Sequence, residues 1–429
     1  MQRTAKKYFE NYAHPDVQDW YRPFAELLFD DCVVVPIRNE SQSFESTLNS
    51  LKLAASGRRV LAILVVNSSV DSGEHISLDN LNLILNLAGR SAIQQPVSHV
   101  KSGDLDICIL NRSISPFFLP LKTGVGLARK MGGDLAAWIA HRGKIRSPWI
   151  YSTDADVQLP DDYFSGVQDL DAQSIVFPFT HEPTSDDIHA KLATKIYDLF
   201  LHYYPAGLKF SKSPYAFPTI GSCLAFRWDT YIKVRGFPVL EAGEDFYFLN
   251  KASKLGKVAE ARTKPIRLSG RLSDRVPFGT GPSIRKNILS LKSGREIEFY
   301  DPEIFWVLKS LLASLEVFSK NRKIAHWREL LLQDERRGLW TLRVCEEMGL
   351  PEALESLAMR NAKATVLHQA IHIWFDGFRT LKFIHRIRDL YLPSIPWFEA
   401  IKSAPFETTG LLNTRLVPKS QRGGRDLAQ

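Results

Sequence analysis

The sequence predicts an α/β protein built on a mainly parallel sheet and followed by a mainly helical C-terminal region. Short apolar runs recur at 32–35, 61–66, 105–110 and 149–153, each reading as a strand buried on both faces. Helical patterns at 44–55 and 125–142 lie between them, and strands alternating with helices in this rhythm argue for βαβ units. Strand signals vanish after about residue 283.

The first thirty residues read as an amphipathic helical lead-in, with Tyr8, Tyr12, Trp20, Phe24, Leu27 and Leu28 as packing positions. The first strand, 32–35, is closed by Pro36, and the second ends in Asn67-Ser68-Ser69. From residue 174 the rhythm changes. A strand is expected at 174–179, a helix at 186–204, a buried strand at 218–226 with a short helix after it, a helix at 244–255 and a last strand at 258–263. Residues 301–390 read as helices cut at Gly338, at Gly349-Leu350-Pro351 and near Gly377. The expected divisions are 1–30 for the lead-in, 31–285 for the α/β domain, 286–400 for a helical subdomain and 401–429 for a flexible basic tail.

The composition of the 429 residues is that of a globular chain, 45% hydrophobic and 24% charged. Lys6, Lys7, Glu10, Asp16, Asp19 and Glu26 break up residues 1–30, so this stretch reads as neither a secretion signal nor a membrane anchor. The apolar stretch 304–318 contains Lys309 and Glu316 and is too short to span a bilayer. Cys32, Cys108, Cys223 and Cys345 are scattered, which argues against a zinc site or disulfide framework and for a reducing compartment such as the cytoplasm. The net charge of +8 suits anionic substrates or a membrane surface. Peripheral contact with the inner face of a membrane fits the basic stretch Arg285, Lys286, Lys292 and Arg295, which also reads as a solvated face. No finger or RNP-like segment supports nucleic-acid binding. Trp138, Trp149, Trp228, Trp306 and Trp374 fall at apolar positions and read as core, and His181 and His189 as surface histidines.

Parallel α/β sheets bind ligands at the carboxyl ends of their strands. Pro36, Asn39 and Glu40, then Asn67 to Ser69, then Asp154 and Asp156 all fall there, so three polar strand ends converge on one edge. Asp154 and Asp156 are one residue apart at the end of a strand and start out on the same face. Two such carboxylates repel, and a divalent cation with oxygen ligands removes the penalty. Glu244 and Asp245 open a helix after Gly243, where unpaired N–H groups favour carboxylates.

With Val34-Val35-Pro36-Ile37-Arg38-Asn39-Glu40, Gly124-Val125-Gly126-Leu127-Ala128-Arg129-Lys130, Asp154-Ala155-Asp156 and Gly243-Glu244-Asp245 in this order, residues 31–282 resemble the family-2 glycosyltransferases. The resemblance implies a GT-A fold, a Rossmann-like nucleotide-binding sheet that is mixed at its far edge, and a nucleoside-diphosphate sugar as donor. It implies Mg²⁺ or Mn²⁺ as cofactor, with Asp156 as direct ligand and Asp154 on ribose or on the metal through water. Pro36 and Glu40 match the positions that hold the nucleotide. Asn67 stands where the family usually has an Asp for the base, with Asp71 close by as a substitute. Gly124 and Arg129 are expected at the diphosphate, and Arg271 and Arg275 in a basic loop that closes on phosphate. Asp245 is the expected general base and Glu244 orients the acceptor or the loop.

The implied activity is inverting transfer of a sugar to the hydroxyl of an unidentified acceptor, whether glycan, lipid-linked or small molecule. A retaining GT-A enzyme of the glucosyl- or mannosyl-glycerate type is the alternative within enzymes, and a non-catalytic glycan- or partner-binding protein on the same fold is the alternative outside them. A sugar-nucleotide pyrophosphorylase is disfavoured, because its Gly-rich arginine loop is missing near the first strand.

Overall fold

The computed structural model describes residues 2–168, 170–273 and 279–408, and divides into two compact units. The first unit comprises Met1–Thr184 and Thr219–Pro282; the second comprises Ser185–Pro218 and Ser283–Gln429.

In the first unit, helices α1 (Gln2–Asn11) and α2 (Val17–Tyr21) precede β1 (Asp31–Ile37), α3 (Ser41–Ala54), β2 (Val60–Asn67), α4 (Glu74–Ala88), β3 (Val97–Ser102), β4 (Leu105–Arg112) and α5 (Gly124–His141). Next come β5 (Trp149–Ser152), β6 (Val157–Gln158), β7 (Ser174–Val176) and β8 (Phe179–Glu182). Helix α6 (Ile188–Phe210) belongs to the second unit. The chain then returns with β9 (Leu224–Arg227), α7 (Trp228–Lys233), α8 (Glu244–Ala252), β10 (Val258–Glu260) and β11 (Ile266–Ser269).

Eight strands form one sheet in the order β10-β7-β9-β5-β1-β2-β4-β3. Its centre, β5-β1-β2-β4, is parallel, while β9 runs antiparallel to both neighbours and β3 antiparallel to β4. This is the expected α/β class with a sheet that turns mixed away from its centre. Every residue of β1, β2 and β4 is buried, which is why those strands carry apolar runs rather than alternation. A small second sheet, β6-β11-β8, lies beside the main one.

Three strand expectations change. Pro36 does not close β1, which runs on to Ile37. Val34 accepts from Thr153 on the β5 side, where the ladder ends, so the N–H that Pro36 lacks two residues later faces no partner strand. The run 174–179 is broken at Pro178 into β7 and β8, which join different sheets. The run 218–226 forms a strand only from Leu224, leaving 218–223 as a loop that turns at Gly221, where the Cys223 N–H donates to the Ile220 carbonyl at 3.0 Å.

Of the lead-in residues, Tyr8, Trp20 and Phe24 are buried, whereas Leu28 is exposed. Asp134 on α5 anchors this segment: its carboxylate accepts from Tyr8 Oη at 2.6 Å, from the His14 N–H at 2.8 Å and from Tyr231 Oη at 2.8 Å.

The second unit is helical, in keeping with the loss of strand signals. It contains α6, α9 (Thr280–Lys292) from Ser283 onward, α10 (Glu303–Asn321), α11 (Ile324–Leu331), α12 (Glu335–Glu347), α13 (Leu350–Arg360), α14 (Ala364–Trp374), α15 (Gly377–Leu390) and α16 (Trp397–Ser403), with a two-stranded ladder of β12 (Glu298–Phe299) and β13 (Ile395–Pro396). Leu308, Leu311 and Leu315 on α10 share one core with Tyr203, Phe299, Trp327, Ile371 and Ile384. Trp149 is buried as expected, but Trp306 on α10 is exposed. Among the described residues no helix is long and apolar enough to cross a membrane.

Candidate active site

The carboxyl edge of the parallel strands gathers the acidic residues. After β1 the chain turns through Asn39 in the left-handed region, φ 57°, a conformation that Asn tolerates better than most residues. The turn is fixed by the Asn39 N–H donating to Asn80 Oδ1 at 3.0 Å and places Glu40 at the start of α3. Glu40 is buried, and Ser43 Oγ donates to its carboxylate at 2.5 Å. Asn67, at the end of β2, is buried with its amide NH₂ donating to the carbonyls of Ile37 and Val65, both at 3.0 Å. Its NH₂ thus ties two strand ends together.

Asp154 and Asp156 follow β5 in a tight loop that α3 holds from below. Thr47 Oγ1 lies 2.9 Å from the Ala155 carbonyl and 2.8 Å from that of Val157, donating to one at a time, and accepts from the Val157 N–H at 3.0 Å. The Asp-Ala-Asp loop is therefore pinned at its middle and its end. Arg271, after β11, forms an ion pair through Nε with Asp156 at 2.8 Å and donates from Nη2 to Glu40. One guanidinium joins the end of the first strand to the Asp-Ala-Asp loop.

Arg129, on the buried face of α5, makes the second junction. Its Nε donates to Glu244 at 2.7 Å and its Nη2 to Asp154 at 2.6 Å. Its Nη1 donates to Ser152 Oγ at 3.0 Å and to the Gly221 carbonyl at 2.7 Å. Four of the five N–H donors of a guanidinium are committed to protein, so Arg129 acts here as an internal brace, whereas the sequence placed it at a diphosphate. Glu244 and Asp245 begin α8 behind Gly243, whose φ of 79° suits glycine. Asp245 Oδ1 accepts from the Phe246 N–H at 2.7 Å, and the Gly221 backbone also hydrogen-bonds its carboxylate.

The Gly124-Val-Gly126 segment does a different job from the expected phosphate cradle. A Cβ on Gly124 would lie 2.6 Å from Glu241 Cα, and one on Gly126 would lie 2.5 Å from the Leu240 carbonyl oxygen. The Gly126 N–H donates to that carbonyl at 3.1 Å. These glycines admit the chain that leads into α8, and so help aim Glu244 and Asp245. Lys130 turns to Asp134 at 3.0 Å. Pro36 lies buried within β1. Arg275 falls outside the described residues. His181, read as a surface residue, is buried on β8.

Electrostatics follow from this crowding. Glu40, Asp154, Asp156, Glu244 and Asp245 interact in a chain, with Arg129 and Arg271 as the countercharges the structure pairs with them. Fully ionised, five carboxylates against two guanidiniums leave three negative charges in excess. Burial pushes Glu40 up to about 7, with repulsion from Asp154 adding to it and Ser43 and Arg271 opposing. Burial and then Glu40 push Asp156 up to about 7. Burial also raises Glu244 to about 7 against the pull of Arg129, and it raises Asp245. Burial works against the charge of Arg129, but Asp154, Glu244 and Asp245 outweigh it and hold the guanidinium more firmly protonated than usual.

This donor set fits a hard divalent cation, since the ligands are carboxylate oxygens in negative excess. Among the described residues no three acidic, His or Cys side chains are arranged to hold a metal by themselves. Asp156 with Glu40 or Asp154 would supply one or two oxygens, and phosphates and water the rest, as Mg²⁺-type sites do. Thr47, Ser152 and Gly221 escaped the sequence reading. Gly221 within Pro218-Thr-Ile-Gly-Ser-Cys223 was the only one with a visible signal, a glycine inside an apolar run.

No protein-family model matches the chain, and no characterised protein matches it by sequence. Among solved structures it is similar to the mannosyltransferase PcManGT from Pyrobaculum calidifontis in complex with GDP-Man and Mn²⁺, at 14% identity, covering 90% of this chain and 95% of that one, with a TM-score of 0.31. It is also similar to glucosyl-3-phosphoglycerate synthase from Mycobacterium tuberculosis in complex with Mn²⁺, UDP and glucosyl-3-phosphoglycerate, at 13% identity, covering 66% of this chain and 88% of that one, with a TM-score of 0.35. The same synthase with UDP gives 13% identity and a TM-score of 0.33. Likenesses of this size carry no argument about function, which rests on the site itself.

Proposed function

We propose that the chain is a metal-dependent, inverting GT-A glycosyltransferase of the family-2 type, moving a sugar from a nucleoside-diphosphate sugar to an acceptor hydroxyl. One observation carries the reading. The Asp-Ala-Asp loop and the Glu244–Asp245 pair meet on a single buried guanidinium, Arg129, at the carboxyl edge of a parallel sheet. The four buried, unpaired cysteines support a reducing compartment, the cytoplasm, as the place of action.

Asp156, with Glu40 or Asp154 beside it, would hold Mg²⁺ or Mn²⁺. When bound, such an ion neutralises charge that develops on the departing nucleoside diphosphate. Asp154 would serve the ribose or the ion. Arg271 presents forked donors to the diphosphate once it leaves Asp156. Asp245 takes the proton of the acceptor hydroxyl as its oxygen attacks the anomeric carbon. The bond from that carbon to the donor phosphate oxygen breaks, its electron pair leaves with the nucleoside diphosphate, and the configuration inverts. Burial raises the basicity of Asp245 and makes it a better proton acceptor near neutral pH. Glu244, fixed on Arg129, keeps the pair oriented.

The test is a panel of nucleoside-diphosphate sugars scored by Mn²⁺- or Mg²⁺-dependent release of nucleoside diphosphate. Asp156→Ala is expected to abolish metal-dependent release. Asp245→Asn is expected to keep donor binding while transfer falls ~10²–10⁴-fold. Normal transfer by Asp245→Asn removes the base assignment, and a product with retained anomeric configuration by NMR moves the reading to a retaining enzyme.

A further inference from the structure

Arg129 lies outside the roles just assigned to substrate contact, yet it pairs with two members of the acidic cluster and is the more deeply buried of the two guanidiniums that do so. It stands within 2.6 Å of Asp154 and 2.7 Å of Glu244, and its own side chain is only 5% exposed. The two acids it joins come from separate parts of the fold, the loop after β5 and the first turn of α8. Its remaining bonds go to Ser152, the last residue of β5, and to the Gly221 carbonyl, whose residue also hydrogen-bonds Asp245 through its backbone.

Local features of the chain are built around this one side chain. Gly221 has no Cβ, and one added there would lie 2.6 Å from Arg129 Cζ. Gly126, one turn before Arg129 on α5, lets the 238–241 segment approach the helix, so that α8 begins within reach of the guanidinium. A planar fork fits this task, because three nitrogens point in three fixed directions. A lysine at 129 keeps the charge but offers a single nitrogen on a flexible stem.

We infer that Arg129 is a positioning residue that couples the donor side of the site, through Asp154, to the acceptor side, through Glu244 and the adjoining Asp245. The role rests on the transferase reading for its catalytic meaning, but the physical coupling stands apart from it. Asp154 and Glu244 share one countercharge, so neutralising either changes what the guanidinium gives to the other. Moving the fork displaces the base and the Asp-Ala-Asp loop together, a misplacement that slows chemistry more than binding.

Two measurements test this. The first needs no activity: a double-mutant cycle on unfolding, with Asp154→Asn, Glu244→Gln and the pair, in the Arg129 chain and again in the Arg129→Met chain. With Arg129 present the two changes are expected to couple by at least fivefold in the unfolding equilibrium, and with Arg129→Met to combine within twofold of independence. Independence in the Arg129 chain overturns the inference. In the Arg129→Met chain Glu244 is left without its buried partner, and the corners that carry Glu244→Gln lose both members of that pair, which bounds the cost of the lone charge. The second measurement is turnover by Arg129→Lys. Its kcat is expected to fall at least a hundredfold while KM for the donor stays within about threefold. An unchanged kcat, or a KM that rises in proportion to the loss of kcat/KM, overturns the positioning role in favour of none or of direct donor binding. Should the native chain release no nucleoside diphosphate from any donor, the transferase reading falls, and the unfolding cycle still decides whether Arg129 links the two acids.

Discussion

The α-carbon of Gly221 rests against the guanidinium of Arg129, so closely that a Cβ would lie 2.6 Å from Cζ and 2.7 Å from Nη2. A long side chain usually gives way when a methyl group arrives. This one is held by four hydrogen bonds to Glu244, Asp154, Ser152 and the Gly221 carbonyl itself, and has little freedom to move. Gly221→Ala is therefore expected to destabilise the chain by about 1–3 kcal/mol through overpacking. Turnover should fall more than stability alone explains, because the displaced fork carries Asp154 and Glu244 with it. Urea unfolding and donor turnover on the same preparation check both. A variant as stable and active as the native chain shows that Arg129 has slack.

The parallel core and the Asp-Ala-Asp strand end were legible because they are written in contiguous residues. Runs such as 61–66 are apolar throughout, since both faces of β2 are buried. The brace was not legible. Arg129 finds its partners 23, 25, 92 and 115 residues away, and an arginine on a helix carries no mark of which way it faces. Gly124 and Gly126 looked like a phosphate cradle because small residues before a basic pair read the same whether backbone or phosphate approaches them; here the neighbour is the 238–241 segment. Helix α6 gave no sign of joining the second unit, since its packing residues find partners about a hundred positions on, as Tyr203 does with Phe299 and Phe305. Strand β3 was missed because none of its six residues is fully buried.

Glu40 makes stability depend on pH in an unusual direction for a carboxylate. Its folded value is pushed from the ordinary 4.5 up to about 7, chiefly by burial. Between those two values the folded chain keeps a proton that the unfolded chain has released. Stability therefore falls as pH rises through this window and levels off above about 7. Glu40→Gln removes the titrating group, so its stability relative to the native chain should rise on the order of 1 kcal/mol per pH unit across the window. Urea unfolding of both chains at pH 5, 6, 7 and 8 measures this. Parallel pH profiles would mean that Glu40 is charged throughout.

Arg271 sits between Asp156 and Glu40, the carboxylates proposed to hold the cation. Arg271→Ala leaves those carboxylates without their guanidinium, and the free ion no longer has to displace a competitor. Bare Mn²⁺ should then bind more tightly than to the native chain. Nucleoside diphosphate with Mn²⁺ should bind roughly tenfold more weakly, as expected for the loss of a charge-assisted hydrogen bond. Calorimetric titration with Mn²⁺ alone and with Mn²⁺ and nucleotide separates the two effects. Weakening of both would make Arg271 a support for the loop and not a stand-in for the ion.

Thr47 offers the sharpest test of how the Asp-Ala-Asp loop is held. Its hydroxyl is buried and accepts the Val157 N–H at 3.0 Å while facing the Ala155 and Val157 carbonyls. Thr47→Val keeps the shape of the side chain and removes the hydrogen bonding. A buried N–H then lacks its partner, a cost of about 1–3 kcal/mol. Asp156 sits between the residues that Thr47 holds, so the loop that carries it loosens as well. Metal-dependent stabilisation by a nucleoside diphosphate in a thermal melt should shrink in Thr47→Val, whereas Thr47→Ser, which retains the hydroxyl, should stay close to native. Equal metal responses in the two variants would mean that the loop keeps its geometry without Thr47, and that Arg129 and Arg271 suffice to hold its two aspartates.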